Sequence, residues 1–201
     1  MISNQKEILL IGGGGHCRSV IDVLEMEGKY KVGGIIDQED LIGNKVFNYE
    51  IIGCDNDLKK LSSNYKNALV TVGQIKSPDI RIKLFSFLKS IGYYLPVIIS
   101  PLAYVSRYSE IEEGTIVMHH ALVNAGARVG KNCIINSKAL IEHDSIIEDN
   151  CHISTGAIIN GGVTIKKNTF FGSNAVSQDH TESYENDFIA ANSLLKRNRK
   201  V

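Results

Sequence analysis

An aliphatic residue recurs at every sixth position of this chain from Ile99 to Ile165, and Phe171 takes the thirteenth place in the series. Four positions after each of them stands a small residue, usually Ala, Ser, Thr or Cys. Neither a helix nor an ordinary strand has this period, whereas a hexapeptide repeat does. The pattern predicts short strands on three faces of a coil of about 18 residues, with the aliphatic residue inside and the small residue at the corner. Because one coil cannot bury its own faces, stability must come from coils stacked about 4.8 Å apart.

The cysteines fit this repeat better than they fit a metal or redox site. The chain has four, Cys17, Cys54, Cys133 and Cys151, and no two of them form a C-x-x-C pair. This spacing argues against a zinc knuckle and predicts free thiols in a reducing compartment. Cys133 and Cys151 both occupy the small position of the repeat, 18 residues apart. We therefore expect them to stack directly on each other in successive coils.

The N-terminal half follows a different pattern, in which strands alternate with helices. Lys6–Ile11 is a short apolar run that predicts a buried strand, and four glycines follow it. Apolar residues from Cys17 onwards recur at helical spacing, and Gly28 is a natural stop for that helix. Tyr30–Ile36 predicts a second strand, which ends at Asp37.

The glycine-rich turn after the first strand is suited to a phosphate group. Its backbone N–H groups and the helix N-terminus form a positive concavity, and the acid at the next strand's end can accept hydrogen bonds from a ribose. Gly12 and Gly14 fit the Gly-x-Gly-x-x-Gly fingerprint, but Cys17 takes the place of the third glycine, and His16 could hydrogen-bond a ligand. We interpret the loop as a nucleotide or nucleotide-sugar site rather than an NAD site; a tight turn without a ligand is the alternative.

A third strand and a second helix complete this half. The strand is predicted over Ala68–Val72 and closes on Gly73. Pro78 fits the first position of a helix, in which apolar residues recur from Ile80 onwards and which Gly92 ends. The order predicts a small Rossmann-like α/β unit with a parallel sheet, whose ligand edge lies at the carboxyl ends of the strands.

We therefore expect two domains, a Rossmann-like nucleotide-sugar-binding domain over residues 1–97 and a β-helix with a C-terminal tail over 98–201. The chain has 22 Lys and Arg against 22 Asp and Glu, so no net field favours nucleic acid or an anionic membrane. No stretch approaches the roughly 20 apolar residues of a membrane span, and no signal peptide is evident, which predicts a cytoplasmic protein. The basic run 196–200 is either a solvated tail or a phosphate contact.

Three motifs together carry a resemblance to a known family. They are GGGGH at 12–16, I-E-H-D at 141–144 and C-H-I-S-T-G-A at 151–157. In this combination the chain resembles the hexapeptide-repeat nucleotide-sugar acetyltransferases, which include sialic acid O-acetyltransferase-like proteins and the bacillosamine- and perosamine-type N-acetyltransferases. The resemblance runs from about Lys6 to Ser173. It implies a left-handed parallel β-helix, a homotrimer with active sites in the clefts between neighbouring prisms, and acetyl-CoA as co-substrate without a metal.

The resemblance also implies roles for individual residues. His143 would be the general base that takes a proton from the acceptor, and Asp144, where relatives usually have Glu, would orient its ring. His152 would lie near the thioester, Gly161 would donate its N–H to the acetyl oxygen, and Ser173 would contact the coenzyme. A corner position with positive φ is the alternative explanation of Gly161. The implied substrate contacts are Gly14, Gly15, His16, Asp37, Gln38 and Gly73.

The implied activity is acetyl-CoA-dependent N-acetylation of a nucleotide-linked amino sugar, of the UDP- or GDP-4-amino-4,6-dideoxy type, in bacterial surface-glycan or glycoprotein sugar biosynthesis. The alternative within the family is O-acetylation of sialic acid or a related nonulosonic acid, which would use the same base. The sequence does not decide between these acceptors or name the nucleotide.

Two other classes of function fit less well. A zinc hydrolase or lyase is disfavoured because the β-helix histidines, at 119, 120, 143 and 152, lack the five-residue interval of the hexapeptide-repeat carbonic anhydrases. A non-catalytic scaffold gives no reason for the His143–Asp144 pair. Near the C-terminus the family's Gly-x-Pro-Ala stretch is replaced by FIAANSLLKR, so Lys196 or Arg197 is a candidate for holding the adenine end of coenzyme A.

Overall fold

The computed structural model describes residues 5–196, and these form two compact units. The first unit comprises residues 5–73 and Asp79–Pro96, and the second comprises Gln74–Pro78 and residues 97–196. Within the described part of the chain, no helix is long and apolar enough to cross a membrane.

The first unit is an α/β structure built on a single mixed sheet. Its strands are β1 (Lys6–Ile11), β2 (Tyr30–Ile36), β3 (Lys45–Val46), β4 (Tyr49–Gly53) and β5 (Asn67–Val70), and its α-helices are α1 (Gly15–Glu27), α2 (Leu58–Leu61) and α3 (Asp79–Ser90). The strand order is β3-β4-β2-β1-β5, with β3 antiparallel to β4 and the other pairs parallel. The prediction of an all-parallel sheet is therefore wrong at the β3 edge. Only two residues, Phe47 and Asn48, join β3 to β4, and so short a turn can connect antiparallel strands but not parallel ones.

The predicted boundaries hold where the apolar pattern is strong and shift elsewhere. β1 and β2 have the predicted bounds, and α1 ends at Gly28, whose φ of 70° closes the helix. β5 ends at Val70 rather than Val72, because Val72 crosses over Gly12: a Cβ on Gly12 would lie 2.6 Å from the Val72 Cγ2 atom. α3 begins at Asp79, one residue later than predicted.

The buried face of α3 differs from the predicted apolar pattern. Ile80 is 63% exposed, whereas the neighbouring Arg81 is only 1% exposed. The Arg81 guanidinium donates hydrogen bonds to the carbonyl oxygens of Val70 at 2.9 Å and Val72 at 2.7 Å. The buried arginine thus fixes the end of β5, at the edge of the sheet where the sequence predicts the ligand.

The second unit is a three-sided parallel β-helix of two-residue strands. In chain order these are β6 (Ile98–Ile99), β7 (Tyr104–Val105), β8 (Glu110–Ile111), β9 (Ile116–Val117), β10 (Leu122–Val123), β11 (Arg128–Val129), β12 (Ile134–Ile135), β13 (Leu140–Ile141), β14 (Ile146–Ile147), β15 (His152–Ile153), β16 (Ile158–Ile159), β17 (Thr164–Ile165), β18 (Phe170–Phe171), β19 (Val176–Ser177), β20 (Phe188–Ile189) and β21 (Leu194–Leu195). They form sheets in the orders β20-β18-β15-β12-β9-β6, β21-β19-β16-β13-β10-β7 and β17-β14-β11-β8.

Each strand of the β-helix pairs with strands 18 residues away, which confirms the predicted period. The register places Ile135 beside Ile153, and the inward residues of successive coils form one core. The coils continue beyond Phe171, so the predicted end of the repeat is wrong. The aliphatic pattern stops there because Ser177 and Ser183 place hydroxyl groups inside the coil. Each hydroxyl oxygen accepts a hydrogen bond from a backbone N–H, at 2.9 Å and 2.8 Å respectively.

Left-handed residues form the corners of the β-helix, and most of them stand directly before a small residue of the repeat. Between 114 and 192 these corner residues are glycine at 114, 126, 156 and 162, asparagine at 132, 150, 168, 174, 186 and 192, and His120, Lys138, Asp144 and His180. Four of the asparagines, 132, 150, 168 and 186, form an asparagine ladder, in which each Nδ2 donates to the Oδ1 of the next residue at 2.9, 3.2 and 3.0 Å. The ladder lines one corner of the stack.

The thiols behave as the repeat predicts. All four cysteines are free, and Cys151 donates its backbone N–H to the Cys133 sulfur at 3.4 Å, so the two residues stack in successive coils. Burial raises the pKa of the Cys151 thiol well above its usual range. In the first unit, burial also raises the pKa of Cys17, to about 11. These thiols are packed as small core side chains rather than held as reactive thiolates.

Candidate functional site

A histidine–aspartate pair stands at one corner of the β-helix, directly after β13. The Nδ1 atom of His143 lies 2.9 Å from the Oδ2 atom of Asp144, and the two side chains are 61% and 73% exposed. The shorter aspartate, where the family usually has glutamate, therefore reaches the ring. Because a carboxylate only accepts, Nδ1 carries the hydrogen and Nε2 is left as an acceptor toward solvent. We refer to these two residues as the dyad.

The charges around the dyad favour a basic imidazole. The hydrogen bond to Asp144 raises the pKa of His143, partial desolvation opposes this, and the charges of Asp144, Glu142 and Asp179 raise it further. Glu142 is itself held in place, since its Oε2 accepts a hydrogen bond from the Asn124 side chain at 2.7 Å. The ring is thus suited to take up a proton from a neutral nucleophile.

Glycines of the neighbouring coils make room for the dyad. A Cβ on Gly161, one coil along the stack, would lie 2.9 Å from both Cε1 and Nε2 of His143, closer than real Cβ atoms approach. Gly161 does not have a positive φ; that conformation belongs to Gly162, at 66°. The alternative explanation of Gly161 as a left-handed corner residue is therefore wrong, and its glycine is explained by contact with the imidazole. Within the described residues its N–H donates no hydrogen bond.

The other two predicted coenzyme residues lie elsewhere on the β-helix. His152 is 7% exposed; its Nδ1 lies 2.5 Å from the carbonyl oxygen of Gln74 and its Nε2 lies 3.1 Å from the Asn136 amide nitrogen. Nδ1 must carry the hydrogen, so this ring anchors the Gln74–Pro78 segment. Ser173 follows β18, at a different corner from the dyad, and its Oγ lies 3.0 Å from that of Ser154. The coenzyme roles of both residues stay predictions.

The first unit carries a separate cleft of about 730 Å³ at the carboxyl ends of its strands. Four of the six predicted substrate contacts line it, namely Gly14, Asp37, Gln38 and Gly73, whereas Gly15 and His16 do not. A side chain on Gly14 or Gly15 would meet nothing within 4 Å, so both face open space. The start of α1 is therefore accessible to a ligand, as the glycine-rich turn predicts.

Asp37 holds the glycine loop in place. Its Oδ2 accepts the N–H of Gly13 at 2.5 Å and its Oδ1 accepts the N–H of Gln38 at 2.8 Å. A Cβ on Gly13 would lie 2.9 Å from that same Oδ2, so glycine is needed there for the carboxylate to approach. Each carboxylate oxygen keeps a second lone pair for a ligand hydroxyl.

Sequence reasoning missed one whole side of this cleft. Cys54, Asp55 and Asn56 line it after β4, and Leu41 and Ile80 contribute apolar surface. The sequence analysis did not identify β4, a short strand that pairs in parallel with β2 and whose end reaches the same edge of the sheet. The charged residues that line the cleft are acidic, so an anionic ligand would depend on backbone N–H groups there.

Two further predictions concern metals and the basic tail. Among residues 5–196, no three His, Cys, Asp or Glu side chains lie close enough together to hold a metal ion. Lys196 is exposed at the end of the described chain, and Arg197 and the rest of the basic run lie outside the described residues.

Comparisons with known proteins match both units. Residues 7–87 match the PglD N-terminal domain family. The acetyltransferase domain of PglB from Neisseria gonorrhoeae FA1090, solved with acetyl coenzyme A, is 28% identical with a TM-score of 0.88, over 97% of this chain and 93% of that one. PerB from Caulobacter crescentus, solved with CoA and GDP-perosamine, is 27% identical with a TM-score of 0.89, over 96% and 89%. A search of curated protein sequences found no match.

A variant of the Caulobacter crescentus perosamine N-acetyltransferase, with asparagine in place of one histidine, was also solved with CoA and GDP-perosamine. It is likewise 27% identical to this chain, with a TM-score of 0.89. The agreement over nearly the full length confirms the predicted fold class, an α/β unit followed by a left-handed β-helix. It also confirms the enzyme class. The chain is an acyltransferase, and over nearly its full length it is similar to solved nucleotide-sugar N-acetyltransferases, the family that its motifs resemble.

Proposed function

We propose that this enzyme transfers the acetyl group of acetyl-CoA to the amino group of a UDP- or GDP-linked 4-amino-4,6-dideoxy sugar, in the biosynthesis of a bacterial surface glycan. The observation that carries the proposal is the dyad, an exposed imidazole whose Nδ1 is held by a carboxylate, whose Nε2 is left as an acceptor and against which Gly161 packs without a side chain. A base and an oxyanion donor side by side are what acyl transfer requires.

In the proposed reaction the amine nitrogen attacks the thioester carbonyl carbon while Nε2 of His143 removes a proton from that nitrogen. The carbonyl oxygen gains negative charge, and the Gly161 N–H donates to it; one such donor is worth about 3–4 kcal/mol. Collapse of the intermediate breaks the carbon–sulfur bond, and the proton on His143 passes to the leaving thiolate. Asp144 accepts a hydrogen bond from Nδ1–H throughout and stabilises the imidazolium that forms.

The cleft of the first unit supports a nucleotide-linked acceptor rather than a free sugar. Its open loop at Gly14 offers backbone N–H groups to a diphosphate, and Asp37 offers carboxylate oxygens to a ribose. Two similar enzymes support acetyl-CoA and the acceptor class, since one was solved with acetyl coenzyme A and the other with CoA and GDP-perosamine.

We also propose that the enzyme is a homotrimer. The outward residues of the sheet that contains β13 form a continuous apolar face of the β-helix, made of Tyr104, Leu122, Leu140, Ile158, Val176 and Leu194. Tyr104 is 60% exposed and Leu194 is 51% exposed. The dyad follows this face directly, so packing of a second copy against it would enclose the imidazole. The light-scattering mass of the purified protein tests this assembly.

An acetyl-transfer screen tests the activity. The purified enzyme is incubated with acetyl-CoA and, in separate reactions, GDP-perosamine, a UDP-linked 4-amino sugar, CMP-linked sialic acid and free sialic acid, with mass-spectrometric readout. We expect acetylation of a nucleotide-linked amine and a loss of kcat of about 10²–10⁴-fold in His143→Ala. His120→Asn, at another exposed corner, is the control and should keep wild-type activity. Acetylation of sialic acid alone, or full activity in His143→Ala, would contradict the proposal.

A further inference from the structure

The corners of the β-helix do not require glycine for their backbone conformation. Asparagine takes the same left-handed conformation at six corners, with φ between 54° and 64°. Gly126, with φ 75°, lies at the corner one coil before Asp144. Its left-handed φ alone would therefore also admit asparagine.

A side chain at 126 would meet the carboxylate of the dyad. A Cβ on Gly126 would overlap the Oδ1 atom of Asp144, far inside van der Waals contact. The other oxygen of the same carboxylate, Oδ2, is the one that lies 2.9 Å from Nδ1 of His143. A side chain at 126 would therefore displace the group that holds the imidazole.

The asparagine ladder indicates what would replace this arrangement. There each corner amide donates from Nδ2 to the Oδ1 atom of the corner residue one coil on, as Asn132 does to Asn150 at 2.9 Å. An asparagine at 126 would be placed to donate to the Asp144 carboxylate in the same way. The carboxylate would then turn toward the amide, and its hydrogen bond with His143 would weaken.

We propose that Gly126 is a positioning residue of the enzyme, whose missing side chain leaves the Asp144 carboxylate free to orient His143. This inference rests on the proposed function, in which His143 is the base. It is independent of the acceptor's identity. The charged and titratable side chains on the same corner of the stack, apart from the dyad, are Glu142 on its own coil, Arg107 and Tyr108 two coils before, and Asp179 and His180 two coils after.

The variant Gly126→Asn tests the proposal, and Gly156→Asn is its matched control. Gly156 is a corner glycine with φ 66°, and a Cβ there would overlap the Oδ1 atom of Asn174 just as one at 126 overlaps Asp144. Asn174 is not part of the dyad, so the control reproduces the steric change away from it; because Ser173 beside it is a predicted coenzyme contact, kcat is compared at saturating acetyl-CoA. We expect kcat to fall about tenfold or more in Gly126→Asn and to stay within about twofold of wild type in the control.

A second readout does not depend on activity. The pKa of His143, followed by NMR titration of its ring proton and assigned with His143→Ala, should fall in Gly126→Asn, as we also expect in Asp144→Asn. The double variant Gly126→Asn/Asp144→Asn should match Asp144→Asn alone, because both changes act through one carboxylate. If Gly126→Asn does not fold, Gly126→Ala against Gly156→Ala gives the same comparison with the Cβ only.

The outcomes separate this inference from the proposed function. A Gly126→Asn enzyme with wild-type kcat and an unchanged His143 pKa would overturn the role of Gly126 while leaving His143 as the base. Full transfer by His143→Ala would overturn the proposed function. In that case the NMR titration alone would still decide whether position 126 controls the carboxylate.

Discussion

The two units of this enzyme bring functional residues together by different rules. In the β-helix, residues 18 apart in sequence are neighbours in space, so His143 lies against Gly161 and Asp144 lies against Gly126. In the α/β unit, the cleft is assembled from segments at irregular intervals, which meet because the carboxyl ends of parallel strands share one edge.

The difference determines how each unit tolerates change. In the β-helix a substitution acts mainly on the coil before and the coil after, because each repeat contacts only its neighbours. In the α/β unit a single side chain such as Asp37 joins two segments that are distant in sequence, the glycine loop and the end of β2. We therefore expect changes in the cleft to affect substrate binding, and changes at the dyad to affect the chemical step.

The largest effect that separates the two units should come from Asp37→Asn. The asparagine amide accepts the hydrogen bond from the Gly13 N–H more weakly than the carboxylate does. The ligand also loses a charged acceptor, and a hydrogen bond to a charged group is worth about 1.5–3 kcal/mol. We expect KM for the nucleotide sugar to rise about 10–100-fold, with kcat and the KM for acetyl-CoA nearly unchanged. Steady-state kinetics with each substrate varied in turn measures this.

The control for Asp37→Asn is Asp40→Asn, which removes an exposed carboxylate close by that does not line the cleft. It should leave both KM values at wild type. A fall in kcat with an unchanged KM in Asp37→Asn would break the comparison, because it would place the cleft in the chemical step.

A smaller effect, on kcat and its pH dependence, should come from Asp144→Asn. The carboxylate raises the pKa of His143, so its removal lowers that pKa. A base works in its deprotonated form, and activity rises with pH through its pKa. The acidic limb of the kcat profile should therefore move to lower pH, while the plateau falls about tenfold because the weaker, less oriented base accepts the proton less well.

Asp179→Asn is the matched comparison for this pH profile. Asp179 acts on His143 only through its charge and is the weakest of the groups that raise its pKa. The acidic limb should move in the same direction by less, with the plateau unchanged. A shift toward higher pH in Asp144→Asn would contradict the assignment of His143 as the base.

The same comparison explains how much the sequence could predict. In the β-helix the six-residue period predicted the strands up to Phe171 and the stacking of Cys133 on Cys151. It failed at Ser177 and Ser183, where hydroxyls replace aliphatic side chains inside the coil. An apolar pattern cannot report a polar interior position whose hydrogen bonds are satisfied by the backbone.

In the α/β unit the prediction stopped where the local pattern was weak. β1, β2 and α1 were predicted because their apolar runs are bounded by glycines. β4 is five residues long and follows a tight hairpin, so Cys54, Asp55 and Asn56 could not be placed on the ligand edge. Nor could sequence spacing distinguish Gly161, which faces the imidazole, from Gly162, which makes the corner.

The smallest effect, and one confined to the β-helix, should come from Asn150→Gly. Glycine keeps the left-handed conformation, so the change removes only the side-chain hydrogen bonds to Asn132 and Asn168 in the asparagine ladder. Each net hydrogen bond is worth about 0.5–1.5 kcal/mol, and we expect a loss of about 1–2 kcal/mol in chemical denaturation. Asn192→Gly, at an exposed corner outside the ladder, should cost less. Because the ladder lines a different corner of the stack from the dyad, kcat should not change; a matching fall in kcat would show that a change at one corner reaches the next.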